Sequence, residues 1–219
     1  MRQRLDAWRS GVVRRSAAGL TCAVLLTGLA ACTGGDVAEP APGPSSPPAA
    51  TGTSATLTPR PVPLTVRVTR VAGRLRPKAR TALEHNVGRV VGRYFHDAFL
   101  GDYPRTDFHD AFATFSRDAE QRARADRALL TNAELGPSTQ AVTPRVEKAY
   151  LSVLAPNKVA AGVTARVRLE MVADRDNQQD RRVTVTGRLL LTRKKSGGWQ
   201  IFGYDLSRST VPVAKGASR

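Results

Sequence analysis

The chain has 219 residues, with 34 lysines and arginines against 18 aspartates and glutamates, a formal charge of +16 and an isoelectric point near 11.2. Two cysteines exclude a disulfide-stapled scaffold, and a mean hydropathy of −0.29 excludes a protein built mainly of membrane spans. Forty-one per cent hydrophobic residues leave room for one packed domain.

The N-terminus carries Arg2, Arg4, Arg9, Arg14 and Arg15, followed by an apolar run over residues 16–31. That run is shorter than the roughly 20 apolar residues a membrane span needs, and it ends in small side chains, so it reads as a signal peptide. Its last residues, Leu29-Ala30-Ala31 followed by Cys32, resemble a bacterial lipobox. The resemblance implies cleavage between Ala31 and Cys32 and a diacylglycerol on the Cys32 thiol, which places the protein on the outer face of the cell membrane. Arg14-Arg15 lacks the bulky apolar pair of a twin-arginine signal, so general secretion is expected. Cys22 leaves with the leader, and Cys32 is then the only cysteine of the mature chain.

Residues 32–63 form a tether. Eight prolines fall among residues 33–63, with abundant Ala, Thr, Ser and Gly. Such a segment buries too little apolar surface to offset its ordering entropy. As a coil it reaches about 30 Å, and as extended polyproline II about 95 Å.

One domain is expected over residues 64–208, with a polar tail over 209–219. Strict alternation over residues 64–69 predicts a first strand whose solvent face carries Arg67, a residue that suits an edge. Pro77 then opens a long amphipathic helix with Leu83, Val87, Val90, Tyr94 and Ala98 along one stripe, widened by Val91, Phe95 and Phe99. Gly88 and Gly92 interrupt it at a cost of up to about 1 kcal/mol each, which implies close approach of a neighbouring element. Gly101 ends it. Thr106 and Ser116 are candidate N-caps for helices over 108–112 and 118–130.

After Pro144 the period changes to two. Strands are expected over 145–154, 160–172, 182–193 and 199–206, joined by hairpins at Pro156-Asn157, residues 174–180 and Ser196-Gly197-Gly198. The fold class is α+β, an antiparallel sheet of about four strands hiding one face against N-terminal helices.

That order of elements, with a closing strand Gly-Gly-Trp-Gln-Ile-Phe-Gly-Tyr-Asp-Leu at residues 197–206, resembles the NTF2-like family, which includes SnoaL-type and ketosteroid-isomerase-type enzymes. The resemblance covers about residues 76–206 and implies a cone with a pocket. In the enzymes a tyrosine or acid from the first helix and a second carboxylate enter the apolar cone, where desolvation raises the carboxylate pKa. Tyr94, Asp97 and Asp107 are the candidates here, with Asp102, Tyr103 and Asp110 beside them. Tyr94 also belongs to the apolar stripe, and the acids also suit caps and solvated positions.

His85 and His96 stand eleven residues apart and His109 lies in the next segment, a spacing that predicts no metal site. No phosphate loop, nucleophile elbow or paired-cysteine motif is present, and no cofactor is expected.

Charge is the remaining signal. Removal of five arginines and one aspartate with residues 1–31 lowers the charge from +16 to +12. Arg124 and Arg127 on a helix and Arg166, Arg168, Arg182, Arg188, Arg193, Lys194 and Lys195 on strands spread it over the domain. Export removes the protein from most nucleic acid and leaves anionic lipid headgroups or wall polymers as partners, with Arg166, Arg168, Arg182 and Arg188 as the binding residues. Compositional bias, 28 arginines against 6 lysines, explains the same balance without function. The expected role is a non-catalytic binding or scaffolding module at the envelope. A small-molecule enzyme using the cone is the alternative, and resemblance to small anchored envelope proteins suggests a structural partner of a membrane complex.

Overall fold

The computed structural model describes residues 62–214. The leader, Ala31, Cys32 and most of the tether lie outside the described residues. The α+β class holds, but the sheet has five strands and is mixed.

Strand β1, Thr65–Gly73, turns Val66, Val68 and Val71 toward the core and leaves Arg67 and Arg70 exposed. Helix α1, Pro77–Phe95, begins on its proline and runs on through one π-helical turn, His96–Leu100. It buries Leu83, Val87, Val91, Tyr94, Phe95, Ala98 and Phe99, while Val90 is half-buried. Gly101 stops it by donating its N–H to the His96 carbonyl at 2.8 Å. A β-carbon on Gly88 would stand 3.1 Å from Cγ2 of Val66, and one on Gly92 would stand 3.5 Å from Cδ2 of Leu64. The neighbour that the two glycines imply is therefore β1, laid along the helix.

The helical connection departs from the sequence reading in two places. Thr106 is not an N-cap. The short 3-10 turn His109–Phe112 follows Phe108, and its first N–H goes to the Asp107 carboxylate at 2.7 Å. Ser116 does precede α2, Arg117–Ala125, but the expected helix over 118–130 breaks at Asp126, where α3, Arg127–Leu130, begins. The Asp126 carbonyl caps that short helix by taking the N–H groups of Leu129 and Leu130, each at 3.0 Å. Its carboxylate takes the Tyr204 hydroxyl at 2.7 Å.

The sheet order is β1-β2-β3-β4-β5, with β2 Thr139–Ala155, β3 Gly162–Arg175, β4 Arg181–Arg193 and β5 Trp199–Pro212. The last four strands form an antiparallel meander, as expected. β1 corrects the four-strand antiparallel picture. The helices between β1 and β2 act as a crossover, so β1 lies parallel to β2 at the sheet edge. β2 also starts earlier than the period suggests. Its register shifts between Pro144 and Val146, and a bulge is where a proline without an N–H costs no ladder bond. β5 extends past Leu206 to Pro212, paired with the start of β4.

Both edges are partly occupied. On β1 the N–H of Val68 donates to the Glu84 carboxylate of α1 at 2.7 Å. On β5 the Thr114–Ser116 segment bonds to Ile201 in both directions, at 3.0 and 2.7 Å. One face of the sheet, including Leu151, Val167, Leu169, Val185 and Leu189, packs with the helices into a single core. Arg208 enters that core from β5 and donates to the carbonyls of Ala128 and Thr131, at 2.6 and 3.2 Å, and to Oδ1 of Asn132 at 3.2 Å.

Candidate anion-binding face

The other face of the sheet is polar, and strand register decides which of its residues meet. Because side chains alternate, outward residues fall into cross-strand rows, with neighbouring strands about 4.8 Å apart. One row runs Thr65, Lys148, Arg168, Thr186 and Ser207. The next runs Arg67, Tyr150, Arg166, Arg188 and Asp205. Arg70 extends the cluster into the following row, opposite Ser152.

Arg166 thus stands directly across from Arg188, a like-charge pair that weakens a sheet. Asp205 relieves Arg188 with an ion pair at 2.6 Å, and Glu170 takes Arg168 at 3.0 Å and Arg182 at 3.7 Å. Exposed pairs of this kind contribute about 0–1 kcal/mol. The side chains of Arg67, Arg70, Lys148 and Arg166 make no hydrogen bond or ion pair among the described residues. A groove of about 550 Å³ lies over the second row, lined by Tyr150, Arg166, Arg168, Arg188 and Asp205. Gly187 makes room beneath it. Its φ is +140°, and a β-carbon there would collide with the Asp205 carbonyl, so β5 could not approach β4 as closely beside any other residue.

The charge is not spread evenly. From residue 76 to 138 the helical layer has ten lysines and arginines against nine acids, a balance of +1. Residues 65–73 and 139–212, the strands with their connections, have fifteen against six, a balance of +9. Lysines and arginines are about equally dense in the two, ten in 63 residues against fifteen in 83, so the difference in balance comes from the acids, nine against six. Register brings Arg166, Arg168 and Arg188 together as the alternation implies, while Arg182 sits farther along the face beside Glu170. Arg67, Arg70, Lys148 and Tyr150 complete the cluster. Lys148 and Tyr150 meet β3 through the antiparallel β2–β3 pairing, but only the parallel pairing of β1 with β2 adds Arg67 and Arg70 beside them.

The residues weighed for catalysis are placed otherwise. Tyr94 is fully buried, and its hydroxyl donates to the Leu130 carbonyl at 2.9 Å. Burial holds that hydroxyl far above the ordinary phenol range. Phe99 and Phe115 meet its ring edge-on at 5.9 and 5.3 Å. Tyr103 donates to the Phe99 carbonyl at 2.7 Å and accepts from Asn132 at 3.1 Å.

Asp97 pairs with Arg93 at 3.2 Å and His96 at 3.1 Å, and Asp110 with His109 at 3.2 Å. Asp97, Asp107 and Asp110 do come together, around Arg105 in a surface pocket of about 130 Å³. Arg105 itself lies 4.2 Å over the Phe108 ring. Asp102 is exposed. The interior between helices and sheet is filled by Tyr94, Phe95, Phe99, Phe112, Leu151, Leu169 and Met171, each buried.

His85, His96 and His109 are exposed. Among the described residues no group of three or more His, Cys, Asp or Glu side chains is poised to hold a metal, and no helix is long and apolar enough to cross a membrane. Cys32 lies outside the described residues. No family model, curated protein or solved structure matches the chain.

Proposed function

We propose that this chain is a lipid-anchored module of the cell envelope, carried on the outer face of the membrane through Cys32 and binding an anionic partner with the outer face of its sheet. The anchor reading rests on the position of Leu29-Ala30-Ala31-Cys32 after an arginine-bearing apolar run. Two acyl chains give stable attachment where one holds a protein only reversibly.

The observation that carries the binding reading is the uneven balance of charge, +9 on the strands and their connections against +1 on the helical layer. Each lysine or arginine near an anionic surface contributes about 1 kcal/mol, so even part of the cluster is enough for a measurable interaction. The filled interior supports binding over the enzyme alternative, because the space around Tyr94 is taken up by Phe95, Phe99 and Phe112, while the candidate acids Asp97 and Asp107 line a surface pocket away from it. A long helix, a short helical pair and a closing strand from Trp199 support reading the domain as a filled relative of the NTF2-like cone. A structural role in a membrane complex would use the same face.

The test is fractionation of cells expressing the unmodified chain and Cys32→Ser, with mass spectrometry of the mature N-terminus. The proposal expects a diacylated Cys32 in membranes and release of the variant. An intact leader, or a mature start elsewhere without lipid, overturns it.

A further inference from the structure

Resting on the anchored-module reading, we infer that the outer face of the sheet docks on the anionic lipid headgroups of the same membrane that holds the anchor, so that the domain lies sheet-down on the bilayer. Three observations converge on that partner. First, the cluster is two-dimensional. It spans Arg67 and Arg70 on β1, Lys148 on β2, Arg166 and Arg168 on β3 and Arg188 on β4, in adjoining rows. An array of that shape meets a plane of headgroups with several cations at once, where a linear polymer would follow one row.

Second, the chain enters the domain at the patch. Thr65, the first residue of β1, belongs to the row of Lys148 and Arg168. The point of attachment thus lies at the rim of the basic rows, where Leu64 packs against α1 at Gly92. On the anchored-module reading, attachment to the same membrane makes docking an intramolecular event. Screening confines the attraction to about 8 Å at physiological salt, so the face with several cations in one plane is the face that is held.

Third, the patch carries side chains suited to an interface. Tyr150 is 38 % exposed among the arginines, and its ring and hydroxyl match the headgroup level. Leu154, two rows farther along the same face, is 57 % exposed, and Val159 in the adjoining turn is 55 % exposed. Both are aliphatic side chains that gain from shallow burial in the headgroup region. The groove over Tyr150, Arg166 and Arg188 is then the seat for a lipid phosphate, because Arg166 offers a guanidinium without a partner among the described residues.

The experiment uses the full chain carrying Cys32→Ser and measures co-sedimentation with phosphatidylcholine vesicles, with and without phosphatidylglycerol, at low and high salt. A patch variant, Arg67→Glu with Lys148→Glu and Arg166→Glu, is compared with a charge-matched control on the exposed side of α1, Lys78→Glu with Arg80→Glu and Arg89→Glu. The inference expects binding that needs phosphatidylglycerol, falls with salt, drops about tenfold or more in the patch variant and persists in the control. Equal loss in both variants, or no loss in either, overturns it. So does binding of equal strength to neutral vesicles, or preferential capture by a soluble anionic wall polymer added as competitor. Acylation of Cys32 in the unmodified chain is read separately by mass spectrometry, so failure of the anchor and failure of the patch give different results.

Discussion

The side chain of Val66 stands over Gly88, with Cγ2 only 3.1 Å from where a β-carbon would lie, so the edge strand rests directly on the helix backbone. Gly88→Val should push β1 away and destabilise the fold by about 1–3 kcal/mol. Gly92→Ala meets Leu64 at an ordinary 3.5 Å, so the gain in helix propensity should prevail and stabilise by about 0.5–1 kcal/mol. Chemical denaturation of the two variants checks the opposite signs.

Tyr94→Phe keeps the ring contacts but leaves the Leu130 carbonyl without its donor, a loss of about 1–2 kcal/mol with no effect on vesicle binding. Tyr94 also shapes the alkaline limit. Its hydroxyl is raised by burial, and Tyr204 is pushed up to about 12 by burial and then by the Asp126 carboxylate. Unfolded tyrosines ionise near pH 10, so above that pH the unfolded chain binds fewer protons than the folded one. This stability is complete below about pH 10 and is lost as pH rises through the folded values. Stability followed between about pH 9 and 11 should fall more steeply for the unmodified chain than for Tyr94→Phe.

Glu147 gives an acid-side prediction. It is 9 % exposed on β2, and burial raises its carboxyl above the usual range. The sign is that of a buried acid with a raised folded pKa: its contribution is favourable below the unfolded value of about 4.3 and is lost as pH rises through the folded one. Glu147→Gln should therefore raise the melting temperature at about pH 7 and lose that advantage near pH 4.

Arg208 ties β5 to the helical layer through two carbonyls and Asn132. Arg208→Leu should cost about 3 kcal/mol, because it strands buried acceptors. Arg208→Lys should recover little of it, since an ammonium cannot reproduce the guanidinium fork. Thermal unfolding of both variants measures the difference.

Periodicity made the meander and the long helix legible, because Tyr94, Phe95 and Phe99 and the alternating Val163, Ala165, Val167 and Leu169 each follow one clean period. Local pattern does not carry pairing. That β1 lies parallel to β2 depends on a crossover of more than sixty residues, and nothing within residues 64–69 encodes it. The helix break at Asp126 escaped for a related reason: its side chain is taken by Tyr204, far along the chain. The basic face was half legible. Alternation assigned Arg166, Arg168 and Arg188 to the solvent side, but only register sets Arg166 against Arg188 and adds Arg67 and Lys148 beside them.

The Glu84 carboxylate on the Val68 N–H and the Thr114–Ser116 segment on Ile201 each interrupt an outer strand, so neither offers an unbroken row for another chain to extend. Copies crowded together in two dimensions meet far more often than copies in solution, and an unguarded margin would let them zip into ribbons. With a carboxylate latched on one margin and a short segment stitched to the other, neighbours can jostle at high density and still part as separate molecules.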